Sequence, residues 1–152
     1  DAILEHFGKP DIIAGVATGG IAQGALVAQE LGIPFIYVRS SAKAHGMGNM
    51  IEGHFEKGQR VVVIEDLIST GGSSLQAVRA LREAGLEVKG LVAIFTYGFE
   101  VSIKNFTNAE CPFVTLTDYD HLIDQALKSD YVTSSDVDSL REWKINPDNW
   151  KN

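Results

Sequence analysis

The sequence is poor in several features that other classes of protein require. It contains one cysteine, Cys111, so no internal disulfide can form, and we expect a reducing, cytoplasmic location. No apolar run approaches the roughly 20 residues of a membrane-spanning helix. Positive charge is also scarce, since 13 Lys and Arg against 20 Asp and Glu give a net charge of −7. We therefore expect neither a membrane nor a nucleic acid as a partner.

The residues that are present predict a single α/β domain over 1–152. Hydrophobic residues make up 45% of the chain, which is enough for one packed core. Short β-branched runs alternate with helical spacing, and no repeat or linker interrupts them. This order predicts a parallel sheet with helices on both faces. The expected strands are 11–16, 35–38, 60–65, 88–95 and 113–116, the last at an edge; the expected helices are 21–31, 73–84, 117–127 and 135–143.

The most informative segment is VVVIEDLISTGGSS, residues 61–74. A buried strand ends in two acids, a loop of small and hydroxyl residues follows, and then a helix begins. Backbone N–H groups at the start of a helix bind anions, and glycine lets the backbone approach a phosphate closely. The segment has neither the GK[ST] of a P-loop nor G-x-G-x-x-G. It predicts a different phosphate cradle, formed by Leu67, Ile68, Ser69, Thr70, Gly71, Gly72 and Ser73.

The two acids before the cradle, Glu65 and Asp66, narrow the choice of ligand. Carboxylates repel a phosphate, but they accept hydrogen bonds from sugar hydroxyls or support a hydrated Mg²⁺. A phosphate next to vicinal hydroxyls indicates a ribose 5-phosphate site. The plainer alternative is a serine-capped helix that follows two exposed acids.

A second stretch, 40–55, is polar, has three glycines and shows no periodicity, which is typical of a long functional loop. In the overlapping segment 39–46, Arg39, Lys43 and His45 place three cationic or protonatable groups within seven residues. Such a cluster suits a lid that closes over a diphosphate, although a solvated loop would look similar. The glycine-rich turn 15–20 also joins a strand to a helix, and it offers a second anion position or an ordinary tight turn.

Together these motifs resemble the type I phosphoribosyltransferases. Residues 61–74 resemble that family's signature for phosphoribosyl diphosphate (PRPP), and the Arg39–Lys43–His45–Gly46 loop is similar to the mobile catalytic loop of orotate phosphoribosyltransferases. The resemblance covers nearly the whole chain. It implies the type I phosphoribosyltransferase fold. It also implies a reaction of pyrimidine synthesis, in which PRPP and orotate give orotidine 5′-monophosphate and diphosphate.

The resemblance also implies roles for individual residues. Glu65 and Asp66 would hold the ribose 2- and 3-hydroxyls, residues 67–73 would wrap the 5-phosphate, and Ser69 would also contact orotate. Arg39, Lys43 and His45 would grip the diphosphate, with Lys43 and His45 catalytic, and residues 17–20 would form a diphosphate turn. Mg²⁺ would be held mainly by PRPP and water. Members act as homodimers in which the mobile loop serves the neighbouring site.

The sequence departs from the family at three positions. Ser40 and Gly19 stand where some members have lysine, and Tyr97 stands where some have an orotate-binding arginine. Family members also have an N-terminal hood over the base, and this chain begins after it, so we expect the native start to be missing. A purine-type phosphoribosyltransferase and a non-catalytic PRPP-binding regulator are the alternatives.

Overall fold

A computed structural model describes residues 1–41 and 50–149. The strands are β1 (Ile12–Val16), β2 (Phe35–Val38), β3 (Ile51–Glu52), β4 (Arg60–Ile68), β5 (Glu87–Thr96) and β6 (Phe113–Asp118). The helices are α1 (Ala2–Phe7), α2 (Gly20–Leu31), α3 (Gly72–Glu83), α4 (Glu100–Asn108), α5 (Tyr119–Lys128) and α6 (Ser134–Ile145), followed by a 3₁₀ turn at Pro147–Asn149. In this part of the chain no helix combines the length and apolar character needed to cross a bilayer.

The strands form one sheet in the order β3-β2-β1-β4-β5-β6. Each neighbouring pair is parallel except β2 and β3, which are antiparallel. The prediction of a parallel α/β sheet with residues 113–116 at its edge is therefore confirmed. The central position of β1 and β4 explains their continuous runs of Val and Ile, because both faces of these strands are covered.

Alternate residues of β4 enter two different cores. Val61 and Val63 pack on the face that contains α3 and Phe106 of α4. Val62 and Ile64 pack on the other face, with Ile3 of α1 and residues of α2. The helices therefore cover both faces, as predicted, and a residue's position in the alternation decides which helix it meets.

At the amino edge of the sheet, a bidentate ion pair joins Asp11, the residue before β1, to Arg60, the first residue of β4. Arg60 donates to Asp11 from its backbone N–H (2.9 Å), from Nε (3.0 Å) and from Nη2 (2.7 Å). This pair lies at the opposite end of the strands from the predicted site.

Several elements differ from the sequence prediction. Strand β4 continues three residues beyond Glu65, and β3 lies within the predicted loop 40–55. The sequence predicts neither the short helix α1 nor the polar helix α4. Helix α4 has the sequence EVSIKNFTN, in which the β-branched, Ser and Asn residues have modest helix propensity. Helix α5 begins at Tyr119, two residues later than predicted. The side chain of Asp118 caps it by accepting a hydrogen bond from the N–H of His121.

Candidate active site

The carboxyl ends of β1, β2 and β4 meet at one edge of the sheet. Strands β1 and β2 remain joined where they end, because the N–H of Ala17 donates to the carbonyl of Val38 at 2.8 Å. The glycine turn before α2, the residue Arg39 after β2 and the two acids of β4 therefore lie at the same edge. This is the edge where ligands bind in open parallel sheets.

Glu65 and Asp66 point to opposite faces of the sheet, because both lie inside β4. Glu65 faces α3, where the Ser74 hydroxyl donates to its Oε2 at 2.8 Å. Asp66 faces the turn before α2, and it lies so close to Gly19 that a Cβ there would overlap its carboxylate. The two carboxylates thus come from adjacent residues but have different surroundings.

The two acids differ in how far their carboxyl groups are buried. Glu65 is 4% exposed, and its Oε1 accepts from the N–H of Asp66 at 3.1 Å. Its burial, with a contribution from Asp66, raises the pKa of Glu65 to about 7, although the Ser74 hydrogen bond opposes the rise. Asp66 is exposed and accepts from the N–H of Leu67 at 2.8 Å. The Asp66 carboxylate is exposed to solvent, and the Glu65 carboxylate is buried and oriented by one donor on each oxygen.

The predicted phosphate cradle forms a tight turn between β4 and α3. Gly71 has φ +83°, and a Cβ on it would lie 2.7 Å from Cε2 of Phe106, so glycine is required on both counts. The side chain of Asn105 donates to the carbonyl of Thr70 at 3.0 Å, which ties the turn to α4. No side chain caps the first turn of α3. Its backbone donors and the helix dipole therefore favour an anion at this position.

Two residues assigned to the cradle from the sequence lie in β4 instead. Leu67 is 39% exposed, whereas Ile68 is fully buried. The carbonyl of Ile68 accepts from Thr96 Oγ1 and from the N–H of Tyr97, both at 3.2 Å. The turn itself comprises residues 69–71, with Thr70, Gly72 and Ser73 exposed and Ser69 half-buried. The side chain of Ile68 belongs to the hydrophobic core that contains Leu75 of α3 and Phe106 of α4.

Both stems of the segment predicted as a lid are anchored at the same edge. The N–H of Arg39 donates to the carbonyl of Met50 at 2.8 Å, and its guanidinium lies 3.5 Å from Glu52. Gln76, in α3, donates to the carbonyl of Ser40 at 3.2 Å. Lys43 and His45 lie outside the described residues. The described residue Ser40 therefore lies beside α3, one turn along the helix from the cradle.

Comparison with known proteins agrees with this geometry. A family model described as "Phosphoribosyl transferase domain" matches residues 2–111. The orotate phosphoribosyltransferase of Porphyromonas gingivalis is 56% identical over 148 residues, which are 97% of this chain and 70% of that protein.

The chain belongs to the orotate phosphoribosyltransferase family.

Two solved structures have the same fold. UMP synthase from Leishmania donovani superimposes with a TM-score of 0.77 at 33% identity, covering 94% of this chain and 30% of that one. Orotate phosphoribosyltransferase from Aeropyrum pernix gives a TM-score of 0.73 at 28% identity, covering 86% of this chain and 73% of that one. The resemblance drawn from the sequence motifs and the type I phosphoribosyltransferase fold are thus confirmed.

At the position where some family members have an orotate-binding arginine, Tyr97 belongs to an aromatic cluster. Its ring stacks on Phe99 at 5.3 Å and meets Phe95 and Trp143 edge-on at 5.4 and 5.3 Å. Tyr119 adds a tilted contact at 5.8 Å. The cluster packs α5 and α6 against the end of β5, so a structural role accounts for Tyr97.

Sequence reasoning missed three residues that support the candidate site. Ser74 contacts Glu65, while Asn105 and Phe106 hold the cradle. Strand alternation continued through Asp66 would have placed Glu65 and Asp66 on opposite faces of the sheet, but it would not have identified Ser74 as a partner. Nothing in the local sequence links α4 to the cradle, because that contact spans 35 residues and depends on the tertiary fold.

Proposed function

We propose that this chain transfers the 5-phosphoribosyl group of PRPP to orotate, giving orotidine 5′-monophosphate and diphosphate. The observation that supports this most is the pairing of two acids with an uncapped, glycine-dependent helix start at the carboxyl edge, in a member of this family. A phosphate and two ribose hydroxyls have the chemistry that such an edge binds.

In this proposal PRPP binds across the end of β4. The turn 69–71 and the first residues of α3 hold the 5-phosphate through backbone N–H groups and the hydroxyls of Ser69, Thr70 and Ser73. Glu65 and Asp66 accept hydrogen bonds from the ribose hydroxyls, and Ser69 also contacts orotate. The helix dipole of α3 adds a favourable field for the phosphate.

Catalysis is then chiefly orientation and charge stabilisation. Displacement at an anomeric carbon passes through an oxocarbenium-like state, and orotate enters as an anion, so a strong general base is not needed. Arg39, Lys43 and His45 stabilise the departing diphosphate, and closure of their loop excludes water that would hydrolyse PRPP. Arg39 has to exchange its contact with Glu52 for the diphosphate.

We infer that Mg²⁺ is held mainly by PRPP and water. Among the described residues, no three His, Cys, Asp or Glu side chains lie close enough to bind a metal ion together. The exposed acid and the backbone donors at this edge fit a substrate that brings its own ion. When bound, the ion neutralises charge on the diphosphate.

The proposal includes a cytoplasmic homodimer in which the loop of one subunit serves the site of the other. A reducing location is supported by the single cysteine, Cys111, which is buried and free. Mixing Lys43→Ala and Asp66→Asn chains tests the shared site. Each hybrid dimer would contain one site with both lesions and one with neither, so activity should return in the mixture. If properly exchanged subunits stay inactive, the loop acts within its own chain.

The reaction is tested by measuring diphosphate release from PRPP and Mg²⁺ with orotate, with adenine, with hypoxanthine and with no base. We expect release that depends on orotate and that falls, at PRPP concentrations below KM, in Asp66→Asn but not in Asp11→Asn at the opposite edge. Release with a purine alone would favour the purine-type enzyme. PRPP binding without any base-dependent release would favour a regulator.

A further inference from the structure

Buried polar side chains are few in the described residues: Glu65, Ser74, Thr96 and Ser102. Two of these four contact each other. The Ser74 hydroxyl, which is 1% exposed, donates to Oε2 of Glu65 at 2.8 Å. Ser74 lies in the first turn of α3, outside the segment 65–73 to which substrate contacts are assigned above.

The contact helps to fix the orientation of the Glu65 side chain. Glu65 has one donor on each oxygen, the N–H of Asp66 on Oε1 and the Ser74 hydroxyl on Oε2. One donor belongs to β4 and the other to α3, so the plane of the carboxylate is set by two packed elements. A carboxylate has about four lone-pair sites. Two therefore remain to accept hydrogen bonds from a ligand.

We propose that Ser74 is a positioning residue, which holds the Glu65 carboxylate in the orientation that receives the ribose hydroxyls of PRPP. This rests on the proposed function, because it assumes that Glu65 contacts ribose. Ser74 itself does not touch the substrate. Preorganisation of this kind increases affinity, because the side chain is already ordered when the ligand arrives.

Ser74 also influences whether Glu65 is charged. Burial and the neighbouring Asp66 both raise the pKa of Glu65, to about 7, while the Ser74 hydrogen bond lowers it. Among the described residues, Asp66 is the acidic neighbour that acts on this carboxyl, and α3 contributes the Ser74 hydroxyl. Removing that hydroxyl leaves Glu65 protonated to higher pH. A protonated Glu65 loses acceptor capacity for the ribose.

The test is calorimetric titration of PRPP and Mg²⁺ into the wild type, Ser74→Ala and Ser74→Thr across neutral pH. We expect Ser74→Ala to weaken PRPP binding by about tenfold at pH 7, the size expected for one hydrogen bond to a charged group. The midpoint of its pH dependence should move to higher pH, whereas Ser74→Thr keeps the hydroxyl and the wild-type midpoint. In steady-state kinetics KM for PRPP should rise more than kcat falls.

Ser102→Ala is the matched control, because Ser102 is also 1% exposed and donates to one acceptor, the carbonyl of Phe99, at 2.7 Å. It should lose stability without moving the pH midpoint. If Ser74→Ala does not fold, Ser74→Cys keeps the volume with a weaker donor and should shift the midpoint in the same direction. A folded Ser74→Ala or Ser74→Cys with wild-type PRPP affinity and midpoint would overturn the proposal. Failure of the wild type to bind PRPP would instead overturn the proposed function.

Discussion

At the amino edge of the sheet, Asp11 accepts three hydrogen bonds from Arg60, whereas at the carboxyl edge Glu65 and Asp66 accept theirs from neutral groups. The first arrangement neutralises a carboxylate within the protein. The second leaves two carboxylates beside backbone donors at the start of a helix. The same strands thus have a closed ion pair at one end and open hydrogen-bonding capacity at the other.

The difference follows from the direction of parallel strands. Their carboxyl ends lead into helix N-termini, which attract anions, and their amino ends receive the chain from helix C-termini. Glycines add to the difference, because Gly19 and Gly71 allow approaches at the carboxyl edge that a Cβ would block. This difference supports the proposal that PRPP binds at the carboxyl edge, whereas the ion pair at the amino edge has a structural role.

The largest effect is expected from Gly71→Val. The added side chain would collide with Phe106, and φ +83° is a strained conformation for valine. Both effects should displace the turn from the phosphate. If the displaced turn loses two charge-assisted hydrogen bonds to the phosphate, PRPP affinity should fall roughly 100-fold. Calorimetry measures this loss. Gly58→Val is the control, because Gly58 has φ +85° and open space around it. Equal affinity in the two folded variants would contradict the cradle.

Gly19→Ala should have the next largest effect. Its Cβ would overlap the Asp66 carboxylate and displace it from the ribose hydroxyls, which we expect to weaken PRPP binding about tenfold. In an Asp66→Ala background the same substitution should cost little more, since the displaced group is gone. Additive losses in this double-mutant cycle would show that Gly19 acts independently of Asp66.

Much of the fold and of the cradle could be predicted, because their signals are local. The β-branched runs of β1, β4 and β5, and the glycines after β4, identify these elements without tertiary information. The end of β4 was predicted at Glu65, and that difference of three residues hid the opposite orientation of Glu65 and Asp66. No local pattern marks a strand end when the side chains there serve a site rather than a core.

Contacts across the sequence could not be predicted in the same way. The two-residue strand β3 is recognised only by its pairing with β2. Helix α4 is held in place by contacts distant in sequence, such as Phe106 next to Gly71. The cap of α6 shows the same limit on a small scale. Ser135 with Asp138 fits a capping box, but Thr133 with Asp136 forms it, two residues earlier. Both pairs have the required spacing, and packing selects one.

The two edges should also respond to pH with opposite sign. The pKa of Glu65 is raised from 4.5 to about 7, so the folded state holds a proton that the unfolded state releases, and stability falls as pH rises through that window. Arg60 lowers the pKa of Asp11 from 3.8 to about 2, so the stability it provides is lost as pH falls through that range.

Unfolding free energies of the wild type, Glu65→Gln and Asp11→Asn measured against pH check these signs. The unfolding free energy of Glu65→Gln should rise relative to that of the wild type as pH rises from 4.5 to 7. The deficit of Asp11→Asn should shrink as pH falls from 3.8 to 2. Parallel curves for the wild type and Glu65→Gln would show that Glu65 does not titrate as its burial implies.

The smallest effect is expected from Asn105→Ala. Its loss removes one exposed hydrogen bond to the Thr70 carbonyl, so the turn loosens without a steric block. We expect PRPP affinity to fall about threefold, at the low end for a single hydrogen bond. Lys104→Ala, on the same helix, should leave affinity unchanged. If the two variants bind PRPP equally well, α4 does not support the cradle through Asn105.

The comparison between the two edges is tested most directly by one calorimetric experiment. PRPP with Mg²⁺ is titrated into the wild type, into Asp66→Asn and into Asp11→Asn, each shown to be folded. We expect Asp66→Asn to weaken binding about tenfold, because one charge-assisted hydrogen bond is lost, and Asp11→Asn to bind as the wild type does. Wild-type affinity in Asp66→Asn, or an equal loss in both variants, would contradict the assignment of the carboxyl edge as the PRPP site.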